Sequence, residues 1–156
     1  MNHNKYLFTM PSQKEEKIVP FSQQQMFNLV ADVDKYEDFL PWCNSSKVIS
    51  KESRDTDDIM VADLEIGYDQ FVYTYRSEII LSKDYDLIKV RNLEGPFKYL
   101  SNEWKFEVID ENTCKINFEI DFELNIKFFD LLMKKFFDLA FKKMVDAFLE
   151  RANEIY

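Results

Sequence analysis

Residues 114–124 read Cys-Lys-Ile-Asn-Phe-Glu-Ile-Asp-Phe-Glu-Leu, and just beyond them the apolar period changes from two to that of a helix. Cys114, Ile116, Phe118, Ile120, Phe122 and Leu124 share one face of this run. Lys115, Asn117, Glu119, Asp121 and Glu123 share the other. Such alternation belongs to an antiparallel strand that is wet on one side only. A strand that must bury one whole face, followed at once by a long amphipathic helix, predicts a helix laid across a sheet.

That helix is expected from about Ile126 to Glu154. At 100° per residue, Phe129, Met133, Phe136, Phe137, Ala140, Phe141, Met144, Ala147 and Phe148 form one apolar arc, widened by Leu132 and Leu139. A surface helix needs an apolar stripe only a little over about 100° wide. The breadth of this arc is that of a helix embedded deeply against a curved sheet. Its Met and Phe content also suits the wall of an adaptable apolar cavity.

Upstream, period two continues through Ser45–Glu52, Ile59–Ile66, Phe71–Leu81, Asp86–Asn92, Lys98–Ile109 and Thr113–Leu124. The short polar turns between them make consecutive antiparallel hairpins the simplest topology. In Lys98–Ile109, Leu100, Trp104, Phe106 and Val108 share a face that Asn102 interrupts. A lone polar side chain there is either a satisfied strand residue or one of the few groups that orient a ligand in an apolar pocket. Phe71, Tyr73 and Tyr75 likewise share one face, and the two tyrosines offer hydroxyls.

The strands are preceded by a short strand at Lys17–Pro20 and a helix over Ser22–Val33. Ser22 is its N-cap, and Gln25 three residues on completes a capping box. Residues 36–43, Tyr-Glu-Asp-Phe-Leu-Pro-Trp-Cys, form an apolar corner broken by Pro41. Residues 1–16 read as a polar N-terminal extension, either ill-ordered or a partial edge strand, and 17–156 as one domain of α+β class.

Composition removes several chemistries. The sole histidine is His3, so Ser-His triads and His-rich metal sites are disfavoured. Two glycines cannot form a phosphate-cradling loop. Asp55, Asp57 and Asp58 sit in an expected hairpin turn without metal-site spacing, and no metal is expected. Cys43 and Cys114 form no Cys-x-x-Cys pair, which suits a reducing compartment. Neither a signal peptide nor a membrane-spanning run is evident, so the expected location is cytoplasmic, with room for peripheral membrane contact. The net charge is −9, which disfavours general DNA binding. Ile126–Tyr156 carries six basic against five acidic residues, and Lys134, Lys135, Lys142 and Lys143 read either as a solvated helix flank or as a local basic face.

Four stretches, in order, carry a family resemblance. Tyr-x-x-Phe-Leu-Pro-Trp-Cys at 36–43 is the first, and Leu-Glu-Ile-Gly-Tyr at 64–68 a weaker one. Gly-Pro-Phe-Lys-x-Leu at 95–100 with Trp-Lys-Phe at 104–106 is another, and the strand 114–124 completes the set. Together they resemble the coenzyme-Q-binding START-like family, which also holds RatA-type ribosome-association toxins. The resemblance implies a helix-grip fold with a hydrophobic tunnel between the sheet and the C-terminal helix. It implies a non-enzymatic carrier or chaperone for ubiquinone or another prenyl lipid, supporting respiratory electron transport. Sleeve candidates are then Trp104, Phe106, Phe118, Phe122, Met133, Phe136, Phe137 and Ala140, with Phe71, Tyr73, Tyr75 and Asn102 toward a headgroup. The RatA-like alternative implies association with the large ribosomal subunit that blocks subunit joining. The wider superfamily also contains small-molecule cyclases, for which no convergent catalytic set is visible in the sequence. A lid at the helix start is further expected from Phe128, Leu131 and Leu132 beside Lys127, Lys134 and Lys135.

Overall fold

A computed structural model describes residues 12–68, 71–124 and 130–156, with side chains except at 68, 71 and 130–134. The order of elements is β1 (Ser12–Val19), α1 (Gln23–Ala31), a 3-10 turn (Val33–Lys35), α2 (Tyr36–Phe39), β2 (Cys43–Ser53), β3 (Asp57–Tyr68), β4 (Phe71–Ser82), β5 (Leu87–Glu94), β6 (Phe97–Asp110), β7 (Thr113–Leu124) and α3 (Asp130–Ile155). The seven strands form one antiparallel sheet in the order β1-β7-β6-β5-β4-β3-β2. It is curved, and with its C-terminal helix it is a helix-grip α+β fold.

The hairpins form because each strand has one apolar face and a short polar turn after it. In β7, Cys114, Ile116, Phe118, Ile120 and Phe122 are all buried on the inner face. Register shifts fall between Cys43 and Ser45, Val48 and Ser50, Arg76 and Ser77, Phe97 and Tyr99, and Val108 and Asp110. Bulges of this kind bend strands and strengthen their twist.

The helix α1 starts at the expected box: the Ser22 hydroxyl accepts from the Gln25 amide at 3.1 Å, and the Gln25 side chain accepts from the Ser22 amide at 3.0 Å. Its buried face, Met26, Phe27, Leu29 and Val30, closes one end of the sheet. The other layer is α3, which buries Phe136, Phe137, Ala140, Phe141, Val145, Phe148 and Ala152. Its flank reaches β1, where Lys17 pairs with Asp146 at 2.6 Å and the Gln13 amide donates to the Asp138 carbonyl at 3.2 Å. The Tyr156 hydroxyl donates to the Gln25 carbonyl at 2.8 Å and ties the helix end to α1.

Three sequence expectations are corrected. Val108 is 62% exposed rather than core, because the ladder slips between Val108 and Asp110 at the sheet's end. The first strand begins at Ser12 rather than Lys17, since Ser12 to Glu16 pair with Asp121 to Asn117 of β7 as part of an edge strand, one of the two readings of the extension. Asp57 and Asp58 lie in β3, paired with Ser82 and Leu81, not in the turn. The corner 36–43 also proves partly helical, its first residues forming α2. Phe128 and Phe129 lie outside the described residues, as do the side chains of Leu131, Leu132, Met133 and Lys134.

Candidate ligand cavity

Between the sheet, α1, the corner and α3 lies a cavity of about 60 Å³. Val30 and Val33 enter it from α1 and the 3-10 turn, and Tyr36, Leu40 and Trp42 from the corner. Phe141, Met144 and Phe148 enter it from α3. The sheet contributes Leu64, Tyr75, Ser77, Ile79, Ile88, Val90, Leu100, Asn102, Trp104 and Ile120. These sheet residues converge because the inward positions of β3 to β7 all point at the same helix.

The corner is held in place by rings. Tyr36 and Phe39 each meet Phe148 edge-on with centroids 5.2 Å apart, and the Arg151 guanidinium lies 5.6 Å from the Phe39 centroid. The Tyr36 hydroxyl donates to the Val30 carbonyl. Below the corner, the Ser46 hydroxyl accepts from the Glu37 amide at 3.1 Å and donates to the Asp34 carbonyl at 3.2 Å. Leu40 and Cys43 are buried beneath.

The polar groups of the cavity are few and uncharged. Asn102 is fully engaged: its nitrogen donates to the Glu119 carbonyl at 3.0 Å, and its oxygen accepts from the Trp104 indole at 3.1 Å. Ser77 is different. It is 1% exposed, and its hydroxyl has no hydrogen-bond partner among the described residues. The Tyr75 hydroxyl also makes no hydrogen bond among the described residues. Burial raises the Tyr75 phenol well above its ordinary value of 10.0, with a further push from the field of Cys43. Burial does the same to Tyr36. Both phenols are therefore neutral proton donors at neutral pH.

Of the residues named from sequence, the cavity brings together Tyr75, Asn102 and Trp104. Tyr73 is half-buried against the core on the same face of β4. Phe106 stacks on Trp104 and meets Phe27 edge-on, toward the α1 end. Phe118 packs on Trp104 with centroids 4.6 Å apart. Phe122 meets Phe97, Phe137 and Phe141, and with Phe136 and Ala140 these fill the core beside the cavity. The side chains of Phe71 and Met133 lie outside the described residues. Ser77, Tyr36, Trp42 and Met144 were not singled out as site residues. Ser77 carried the same signal as Asn102, a lone polar residue in phase with Tyr73, Tyr75, Ile79 and Leu81.

The two thiols stand apart from this chemistry. Burial pushes both Cys43 and Cys114 up to about 11. Among the described residues no group of three His, Cys, Asp or Glu side chains is placed to hold a metal ion.

Comparison with known proteins places this geometry in a family. Residues 19–149 match the family described as polyketide cyclase / dehydrase and lipid transport. The chain is 32% identical over 147 residues to the ribosome association toxin RatA of Escherichia coli, covering 94% of this chain and 90% of that one. It is 36% identical over 145 residues to the coenzyme Q-binding protein COQ10 homolog B of Xenopus laevis, covering 91% of this chain and 58% of that one. The Zhui aromatase/cyclase of Streptomyces sp. R1128 superposes with a TM-score of 0.77 at 18% identity, over 92% of this chain and 94% of the other, and so shares the fold. With the match spanning most of its length and the helix-grip cavity present, the chain belongs to the polyketide cyclase / dehydrase and lipid transport family.

Proposed function

We propose that this protein binds a hydrophobic, uncharged ligand, a prenylated quinone such as ubiquinone, and acts as its carrier or chaperone rather than as an enzyme. One observation carries the reading: an apolar cavity free of charged side chains, whose lining includes the buried, unpartnered hydroxyl of Ser77 and the phenol of Tyr75. Neutral O–H donors in apolar surroundings suit carbonyl oxygens on an apolar ring. Each methylene of a tail buried alongside contributes about 0.8 kcal/mol, so a prenyl chain needs no charged anchor. Catalysis by proton abstraction lacks a base here, because both phenols are held in their neutral form.

At about 60 Å³ the cavity is far below the ~300 Å³ at which ligand pockets begin. Loading therefore requires the walls to part. Met144 of α3 and Trp42 of the corner are among the partly buried lining residues, and the flexible thioether is well suited to give way. Peripheral delivery at a membrane fits the outer face of α3. There Leu139 is 49% exposed among exposed Lys135, Lys142 and Lys143, none of which forms an ion pair among the described residues. No helix among the described residues is long and apolar enough to cross a membrane. Each basic residue near an anionic bilayer adds about 1 kcal/mol.

The test uses Trp42 and Trp104, the chain's two tryptophans, which both line the cavity. A short-tailed benzoquinone should quench their fluorescence saturably, and lipid extraction of protein from its own host should yield a prenylquinone. Absence of both would end the reading. A second reading, association with the ribosome, expected at its large subunit, is favoured by the relatives named ribosome association toxin. Co-sedimentation with purified large subunits, insensitive to added quinone, would favour it over the carrier.

A further inference from the structure

A second hollow opens between α1 and the tips of two hairpins, a groove of about 690 Å³. Among the described residues its lining shares no member with the internal cavity. Its volume lies within the ~300–1,000 Å³ of small-molecule sites. The apolar wall is Phe27 and Ala31 of α1, Met60 of β3, Leu81 of β4, and Tyr85 of the turn before β5.

The groove is built on fixed turns. The Lys83 amide donates to the Thr56 carbonyl at 3.1 Å, and the Lys83 ammonium donates to the Ser53 hydroxyl at 2.9 Å, so the two hairpin tips are tied together. The Ser82 hydroxyl accepts from the Asp86 and Leu87 amides at 3.2 and 3.0 Å and pins the second turn. That turn holds Tyr85 at φ 63°, a left-handed conformation that a bulky side chain adopts only under strain. The strained backbone sets the Tyr85 ring edge-on to Phe27, with centroids 5.3 Å apart and the residue still 37% exposed.

Four charged side chains line the groove, and three of them are already committed. Asp58 faces Lys83 at 4.0 Å, and Glu52 takes Arg54 at 3.3 Å. Lys51 is the fourth. It pairs with Met60 across the β2–β3 ladder, so its stem rises from the same face as that buried thioether. Asn28 lines the groove from the α1 side. Neither the Lys51 ammonium nor the Asn28 amide bonds to a described residue. A free cation and a free amide donor beside aromatic and aliphatic walls suit a ring that carries one carboxylate.

We propose that the groove under α1 is a second binding site, separate from the internal cavity, for a small aromatic carboxylate. Its ring lies against Phe27, Met60 and Tyr85, and its carboxylate accepts from Lys51 and Asn28. The molecule's net charge of −9 repels anions overall, so a preference for one is a local property of this groove.

Three probes that share one ring system test the site by equilibrium dialysis: naphthoate, the neutral naphthamide and the cationic naphthylmethylamine. Naphthoate should bind about fivefold tighter than the amide, and the cation weakest. Lys51→Met keeps the stem without the charge and should bring naphthoate down to the amide's affinity. Tyr85→Asn, which suits the left-handed turn but lacks the ring, should weaken all three. Equal binding of the three probes, or no binding of any at millimolar concentration, would overturn the proposal. Naphthoate held as tightly by Lys51→Met as by the wild type would be bound elsewhere and would overturn it too. Should Tyr85→Asn fail to fold by circular dichroism, the exposed Lys51→Met decides alone.

Discussion

Gly95 lies directly against Tyr75: a Cβ built on Gly95 would fall 2.5 Å from the Tyr75 Cβ and 3.0 Å from its Cα. Gly95 has φ of 140°, a region that side chains other than glycine's rarely adopt. Pro96 and Phe97 follow, and the Phe97 ring meets Tyr75 edge-on with centroids 5.4 Å apart. The turn therefore holds a tyrosine of the neighbouring strand in the cavity wall. The Gly-Pro-Phe stretch has a physical reason to read as it does.

Gly95→Ala should both strain the turn and push Tyr75 aside. Backbone strain alone costs about 1–3 kcal/mol. Thermal unfolding followed by circular dichroism should fall by at least about 3 °C. Quinone quenching of the tryptophans should weaken more than the stability loss accounts for. An unchanged melting temperature would mean that the strand and turn can move apart freely.

Ser77→Ala should do the opposite to stability. Removing a buried hydroxyl without a partner deletes a desolvation cost, and a gain of about 1 kcal/mol is expected. The melting temperature should rise by about 2–4 °C while ligand affinity falls. A destabilised variant would mean that Ser77 has a bonding partner in solution.

Trp104→Ala should be severe. The residue is 2% exposed, packs on Phe106, Phe118 and Phe148, and donates to Asn102. Loss of a buried aromatic of this size costs about 3–5 kcal/mol. Urea denaturation should show the midpoint shift, and an effect under about 1 kcal/mol would contradict its central place in the core.

Alkaline pH should loosen the fold before it bleaches any surface pair. The folded thiols of Cys43 and Cys114 are raised from 9.0 to about 11, and the phenols of Tyr36 and Tyr75 are raised from 10.0. Groups that hold protons more tightly when folded stabilise fully below their unfolded values, and that contribution is lost as pH climbs toward the folded ones. The urea midpoint should therefore hold near pH 8 and decline above about pH 9. Native thiols should alkylate slowly at about pH 8 and rapidly once denaturant is added.

Much of this architecture was legible before any coordinates. Period two marked β3 to β7 because each strand has one dry face, and Ser22 with Gln25 announced the start of α1 through two reciprocal hydrogen bonds. Asn102 and Trp104 stood out because a polar residue interrupts an apolar face. The corner's helical turns did not, since α2 spans only Tyr36–Phe39 and gives no period to read. Val108 looked like its neighbours because a bulge leaves no mark on alternation. Ser77 interrupts its apolar face as Asn102 does, but whether so small a hydroxyl is satisfied depends on what β5 places opposite it, which no local pattern records. The aromatic-rich arc of α3 foretold burial, but where space remains among those rings is settled by their packing.

The sheet order also governs how the chain reaches this state. From β2 to β7 every ladder joins strands adjacent in sequence, so each hairpin closes over a short loop. The exception is β1, whose partner β7 lies about a hundred residues downstream, and loop closure over such a span is slow although only modestly more costly. The six-stranded meander is expected to zip first and leave the apolar β7 with an open margin until the first strand docks. An engineered protein beginning at Phe21 would expose that margin permanently, and strand-to-strand aggregation is its expected fate. The charged Lys14-Glu-Glu-Lys17 run is thus a solubilising hem, stitched last onto the most adhesive border of the sheet.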